Sequence, residues 1–335
     1  MIISKTPFRM SLFGGGTDYP DWYRIHGGAV IGTTIDKYCY LSVRHLPPFF
    51  EHKHRVVWSN IELINEIADI RHPAVRAILE EMAFEDGMEI TYNADLPARS
   101  GLGSSSSFSV GLLNALHALK GRMISKQALA REAIRIEQEV MGEAVGSQDQ
   151  IWAAFGGLNR IEFHRDGGFD VSPLILSPDN RHALQSSLML FFTGFSRYAS
   201  EIAQKQIDNF GNKKNELGAL GQLADDATGI LQGTGDLVTD LGALMHQAWK
   251  LKRELADGVT TPAVDDIYSA GREAGALGGK LLGAGGGGFM LFVVRPEDRS
   301  KVRDRLKDLI HVSFEFDMGG SKIAVFEPES DPSGP

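Results

Sequence analysis

The chain has 335 residues, 43% of them hydrophobic and 23% charged, enough for two compact domains and too apolar for a disordered chain, a collagen or a small disulfide scaffold. Its 34 Lys+Arg against 43 Asp+Glu give a formal charge of -9 without any basic block, which argues against a nucleic-acid partner. The single cysteine, Cys39, cannot close an internal disulfide, and the longest apolar run is the six residues 289–294, so the expectation is a cytoplasmic protein, neither membrane-spanning nor anchored, monomeric or homodimeric.

Glycine is the unusual count, 38 residues, clustered at 14–16, 27–28, 101–103, 156–157 and 278–288 beside patterned segments, as turns and not as a flexible linker. β-type segments are expected at 30–35, 38–43 and 55–58. Pro73 opens a helix whose apolar face carries Val75, Ile78, Leu79 and Met82. A short strand at 88–92 leads into the loop 93–103, and Phe108, Leu112, Ala115, Leu116 and Leu119 then recur at helical spacing up to Gly121. Ser125 caps a second helix with Leu129, Ala133, Ile136 and Val140 on one face, ending at Gly142. The turn chemistry of Pro173, Pro178, Asp179 and Asn180 sets a domain boundary, giving an N-terminal domain over 1–178 and a C-terminal domain over 179–335. The second half is expected to open on a strand at 187–192, run mostly helical over 199–255 and return to strands at 289–294 and 323–327.

The most informative segment is Pro97-Ala98-Arg99-Ser100-Gly101-Leu102-Gly103-Ser104-Ser105-Ser106-Ser107. Glycines let backbone N–H groups converge, the helix behind them presents unpaired donors and a positive dipole end, and serine hydroxyls add further ligands. A capped helix would need one serine and one glycine; four serines and two glycines together describe an anion cradle. Other fingerprints fail on context. Leu281 stands where a Walker loop needs Ser or Thr, and Gly283, Gly285 and Gly288 precede a strand and do not join a strand to a helix. The triplet at 164–166 lacks the downstream Asn and D-F-G of protein kinases. His52 and His54 have no partner cluster for a metal.

Three blocks in order carry a resemblance: residues 7–19 (PFRMSLFGGGTDY), the loop at 97–107, and residues 279–289 (GKLLGAGGGGF). Together they resemble the three signatures of the GHMP small-molecule kinases, which include galactokinase, homoserine kinase and mevalonate kinase. The resemblance implies an α+β fold of two domains, the first like the second domain of ribosomal protein S5 and the second ferredoxin-like, with ATP and Mg²⁺ as cofactors and a small-molecule acceptor between them. Within the family the start of the first block and the Phe192-Thr193-Gly194-Phe195-Ser196-Arg197 segment resemble the heptose 7-phosphate kinases, which implies phosphorylation of the anomeric O1 of D-glycero-D-manno-heptose 7-phosphate. The alternatives are a 1-kinase for fucose, galactose or an N-acetylhexosamine, and a catalytically silent ligand sensor.

The resemblance also assigns roles. Asp149, in Ser147-Gln148-Asp149-Gln150, matches the general base, and Arg9 the cation beside it. Pro97, Arg99, Ser100, Gly101, Leu102, Gly103, Ser104, Ser105 and Ser106 match the nucleotide loop, with Trp58 and Asn60 flanking adenine. Glu137 and Ser105 match the magnesium ligands, Glu139 and Glu143 being competing carboxylates on the same segment. For the acceptor, Gly15, Gly16, Thr17, Asp18 and Asp36 face sugar hydroxyls, Gly285 and Gly286 belong to the third signature, and Arg197 and Lys280 supply cations for a substrate phosphate. Galactokinases carry Glu and His where Gly15 and Gly16 stand here; their loss opens room for a longer tail and removes a charge that would repel a phosphate.

Overall fold

The structure, a computed structural model, describes residues 1–194 and 199–327. β1 (Ile2–Phe13) is buried on both faces over most of its length and ends at the glycine turn 14–16, after which Pro20 opens α1 (Pro20–His26). β2 (Gly28–His45) unites the two expected strands at 30–35 and 38–43, its pairing with β1 slipping where Pro7 faces Tyr38 and Phe8 faces Ile35. β3 (His54–Val57), β4 (Ile61–Ile64), α2 (Pro73–Glu81) and β5 (Met88–Ala94) follow. α3 (Ser104–Leu119) opens on a turn of serines and is buried on most sides thereafter, so apolar residues surround it and are not confined to one stripe. α4 (Lys126–Arg135) runs into a π-helical turn at Ile136–Val140, and α5 (Gln148–Phe155) completes the helical layer.

β6 (Asn159–Phe163) and β7 (Phe169–Pro173) form a hairpin on the first half of β2. α6 (Pro178–Ser187), capped by Ser177, occupies a stretch expected to be turn, and β8 (Leu188–Phe192) begins the second sheet. The expected helical run divides into α7 (Ala199–Asn209), α8 (Lys214–Gln232) and α9 (Leu237–Arg253); α10 (Pro262–Glu273), β9 (Ala276–Leu281), β10 (Phe289–Val294), α11 (Arg299–Arg305) and β11 (Ile310–Val312) follow. The second sheet is antiparallel in the order β11-β8-β10-β9.

β12 (Phe316–Asp317) and β13 (Lys322–Phe326) leave that unit and join the first sheet, β12 on β2 and β13 on β1, giving the order β13-β1-β2-β5-β3-β4. This departs from the expectation that everything after residue 179 belongs to the second unit. The crossing is fixed by Thr34, whose hydroxyl donates to the Asp317 carbonyl at 2.7 Å, and by Tyr38, whose hydroxyl donates to the Asp317 carboxylate at 2.9 Å.

Two features aim the helical layer at the cleft between the sheets. Trp152 on α5 is fully buried against Gly32 of β2, where a Cβ would lie 2.7 Å from the indole, so α5 sits close to the sheet with its first turn at the cleft. α3 packs across β1 and β2 and points its N-terminus into the same space. No helix among the described residues is long and apolar enough to cross a membrane.

Candidate active site

The cleft between the two units holds a cavity of about 190 Å³. One wall is the end of β1 and its glycine turn, another the loop before α3, a third the start of α5, and the last comes from α7, α8, α9 and the turn after β9.

The loop before α3 is built from left-handed backbone at Arg99, Gly101 and Gly103, and Gly103 sits at the N-cap of α3. At Gly101 the conformation is matched by contact: an added Cβ would lie 2.3 Å from the Leu282 carbonyl oxygen, and one on Gly283 would lie 2.5 Å from Gly101 Cα. The second and third glycine segments therefore touch backbone to backbone, which explains why both need glycine.

Arg9 joins three parts of the site. Its Nε and Nη2 donate to the two carboxylate oxygens of Asp149 at 2.7 Å each, and Nη1 donates to the Gly101 carbonyl at 2.6 Å. Arg9 is 5% exposed and Asp149 24%, so the pair is sheltered yet the carboxylate remains open to the cleft. The Asp149 carboxylate lies beside Gly103, where an added Cβ would be 3.3 Å from its Oδ2, so this carboxylate adjoins the helix N-terminus that the loop presents.

Asp18 lines the cleft and accepts from the Gly16 N–H at 2.9 Å; burial, followed by the nearby Asp149 charge, raises its carboxyl above the usual range. Lys280 donates to the Leu12 carbonyl at 3.0 Å, and burial lowers its ammonium to about 7. Lys252, which sequence reasoning missed, donates to the Leu281 carbonyl at 2.9 Å and to the Gly283 carbonyl, and burial holds it well below its usual value. A signal for it exists: Leu241, Met245, Ala248 and Lys252 share one face of α9, so a lysine continues an apolar stripe.

Behind the loop, Glu137 is fully buried in the π-helical turn, accepting from the Ser106 hydroxyl at 2.8 Å and from the Gln150 amide. Burial raises its carboxyl to about 7 against the hydrogen bonds that favour the charged form. Glu139 is exposed on the next residues of that turn, and Glu143 lies beyond its end. Ser105, not Ser106, is the hydroxyl exposed on the cleft wall. Among the described residues no three His, Cys, Asp or Glu side chains gather as a metal cage. The donor set fits a cation that keeps most of its ligands from elsewhere, as magnesium does: Glu137 Oε1 is buried without a hydrogen-bond partner among the described residues, and an unpaired buried carboxylate oxygen calls for a positive charge.

Several expected site residues face elsewhere. Thr17 is buried, its hydroxyl donating to the Gly14 and Ala29 carbonyls at 2.8 and 3.1 Å, so it ties the turn together and has no donor for a sugar. Asp36 pairs with Lys37 and accepts from the Glu315 N–H at 2.9 Å, outside the cleft. Gly285 and Gly286 pack on Val259, the Gly286 N–H donating to its carbonyl at 3.0 Å; Lys280, Gly283 and Ala284 are the third-signature residues on the cleft wall. Pro97 is exposed away from the cleft, Leu102 is core, and Ser100 is buried beneath Gly288. Trp58 donates to Glu62 at 2.8 Å and packs edge-on against His72, which stacks on Phe108; it and the exposed Asn60 lie outside the cleft. Gly15, Gly16, Arg99, Gly101, Gly103, Ser104, Ser105 and Ser106 line it. Arg197 lies outside the described residues.

Comparison with known proteins agrees with this architecture. Residues 68–157 match the GHMP kinases N terminal domain and residues 235–311 the GHMP kinases C terminal domain. A D-glycero-alpha-D-manno-heptose 7-phosphate kinase from Campylobacter jejuni is 28% identical over 88% of this chain and 90% of its own. A bifunctional fucokinase/GDP-fucose pyrophosphorylase from Arabidopsis thaliana is 27% identical over 96% of this chain and 32% of its own. The crystal structure of a D-glycero-D-manno-heptose 1-phosphate kinase from Bacteroides thetaiotaomicron superposes with a TM-score of 0.78 at 24% identity, covering 96% of this chain and 98% of that one, and so shares the fold. With both domains in order and their glycine loops meeting at one cleft, the chain belongs to the GHMP kinase family, phosphotransferases that act on the hydroxyl of a small molecule.

Proposed function

We propose that this GHMP sugar kinase transfers the γ-phosphoryl group of ATP to the anomeric O1 of D-glycero-D-manno-heptose 7-phosphate, giving the 1,7-bisphosphate used to make nucleotide-activated heptose for surface polysaccharide. The observation that carries the reading is the composition of the cleft: one carboxylate held open to it by Arg9, and two further cations, Lys252 and Lys280, whose hydrogen bonds among the described residues all go to backbone carbonyls. The first arrangement suits a hydroxyl nucleophile, and the second suits an acceptor that brings its own negative charge. The likeness to the Campylobacter jejuni enzyme supports the same substrate.

In this mechanism the N-terminal amides of α3 and the Gly101–Gly103 backbone bind the nucleotide phosphates, with Ser104 and Ser105 adding hydroxyls. Glu137 and Ser105 would hold magnesium, which when bound neutralises charge on the nucleotide phosphates. Asp149 accepts the proton of the attacking hydroxyl. Arg9 keeps that carboxylate aimed while its own positive charge offsets the alkoxide as it forms. Asp18, with one oxygen committed to the Gly16 amide, orients a sugar hydroxyl through the other. The backbone contact of Gly101 with Gly283 ties the position of the nucleotide to that of the acceptor wall, which in-line transfer requires.

³¹P NMR of the protein with Mg·ATP tests the reading, with heptose 7-phosphate beside unphosphorylated heptose, galactose, fucose and an N-acetylhexosamine. A new anomeric phosphate resonance with heptose 7-phosphate alone is expected. Product from fucose alone would replace this substrate by the one named for the Arabidopsis thaliana relative.

Gly15 gives a second check. Its backbone is not left-handed, and an added Cβ would lie 3.4 Å from Ser11 Oγ and 3.8 Å from Gln148 Nε2, so a side chain fits and projects into the cleft. Gly15→Glu is expected to lower kcat/KM for heptose 7-phosphate about tenfold relative to unphosphorylated heptose, since one like charge a few ångströms from a phosphate costs on the order of 1–4 kcal/mol. Equal rates of loss on the two acceptors would remove the charge argument for this glycine.

A further inference from the structure

Lys252 and Lys280 reach the cleft from different elements, α9 and β9, and each is anchored, among the described residues, by backbone oxygen. Lys252 spends two of its three N–H donors on Leu281 and Gly283, and Lys280 spends one on Leu12. Neither ammonium forms an ion pair with a carboxylate among the described residues; the near carboxylate, Asp18, is itself turned to the Gly16 amide, and Asp149 is taken by Arg9. A buried and a half-buried ammonium group that share the charge of Asp18 and form no ion pair among the described residues, in a chain of net charge -9, are costly to fold and are explained by an anionic ligand that completes them.

The position of the pair selects which anion. Nucleotide phosphates have their own donors at the start of α3. Lys280 is hung from Leu12, two residues before the glycine turn that bounds the acceptor, and Lys252 stands on α9 between Ala248 and Leu255, both on the cleft wall. An added Cβ on Gly16 of that turn would lie 3.7 Å from Leu255, so turn and helix enclose the same end of the cleft.

We propose that Lys252, together with Lys280, forms the subsite for the phosphate that the acceptor already carries, remote from the hydroxyl being phosphorylated. This rests on the reading of the acceptor as a sugar phosphate. Three unspent N–H donors from two helically and sheet-anchored ammonium groups converge on one phosphate, and the tethers to Leu281 and Gly283 hold Lys252 in place before the ligand arrives, which lowers the ordering cost of binding.

The test compares kcat/KM for heptose 7-phosphate and for unphosphorylated heptose in the parent protein, Lys252→Met and Lys252→Arg. The preference for the phosphorylated sugar is expected to fall about 30-fold in Lys252→Met, the worth of one charged hydrogen bond, and to recover largely in Lys252→Arg, which keeps the charge. Equal loss on both acceptors, with the preference intact, would overturn the assignment and put Lys252 on the transferred group. Inorganic phosphate provides a check on the unaltered protein: it is expected to inhibit in competition with heptose 7-phosphate, and inhibition competitive with ATP alone would overturn the subsite. A parent protein that phosphorylates only unphosphorylated sugars would instead sink the functional reading, an outcome visible before any variant is made.

Discussion

Asp149→Asn is expected to lower kcat by about 10³-fold, because a positioned proton acceptor contributes roughly 10²–10⁴-fold to such a transfer and an amide has no basicity to offer. The geometry makes the substitution informative. Asparagine has nearly the shape of aspartate, yet it can accept only one of the two Arg9 hydrogen bonds and presents an N–H to the other nitrogen. Arg9, 5% exposed, would then keep its charge with the Gly101 carbonyl as its remaining full partner, so a fall in thermal midpoint accompanies the kinetic loss. The two effects separate by measurement. Single-turnover formation of the sugar phosphate at saturating ATP reports the chemical step, and binding of a nonhydrolysable ATP analogue reports whether the loop still forms. A variant that binds the analogue normally and turns over within tenfold of the parent would exclude Asp149 as the proton acceptor. If analogue binding also fails, the loss traces to Arg9 and its hold on Gly101, a positioning effect.

How far the sequence foretold this site depends on what each residue's surroundings demand of it. The loop before α3 was legible because left-handed turns, a helix start and clustered hydroxyls leave separate marks in the residues themselves. The contact of Gly101 with Gly283 was not, since it joins positions 182 residues apart and the sequence shows two glycine segments without showing that they meet. Thr17 and Asp36 illustrate the converse failure. Both are polar residues next to functional segments, but one hydroxyl closes a turn and one carboxylate fastens β2 to the segment before β12, roles that neighbouring sequence does not distinguish from facing a ligand. Lys252 sits in the last turn of α9 beside Lys250 and Arg253, where cations are expected to complement the helix dipole, so the one that turns inward was hidden among those that do not. At the level of the fold, β1 gave no alternating pattern because most of it is buried on both faces, and the short β12 and β13 owe their place to pairing partners near the other end of the chain. Local chemistry marks a loop; which side of it faces the cleft is a property of the packed structure.

Glu137→Gln is expected to stabilise the metal-free protein and to impair the enzyme, a combination that a merely structural glutamate would not give. Burial raises the carboxyl of Glu137 to about 7, from 4.5, so between these values the folded chain holds a proton that the unfolded chain has released. Stability must then fall as pH rises from about 4.5 to 7, with the penalty complete above 7; 1.36 kcal/mol per pH unit puts it on the order of 3 kcal/mol. Glutamine carries no charge to desolvate, so its variant loses this slope and melts higher than the parent at pH 8 in EDTA. Magnesium with a nonhydrolysable ATP analogue should reverse the order, because the cation meets the orphaned Oε1 of the parent and finds no anion in the variant. In kinetics the same change is expected to cost about 100-fold in kcat at saturating magnesium, as removal of a metal-held charge from phosphoryl transfer costs several kcal/mol. Thermal melts at pH 5 and pH 8, each with EDTA or with magnesium and the analogue, decide the matter. Equal stabilisation of both proteins by magnesium and the analogue would release Glu137 from the metal site, and a variant that melts lower than the parent at pH 8 in EDTA would show that the Ser106 and Gln150 hydrogen bonds outweigh the buried charge.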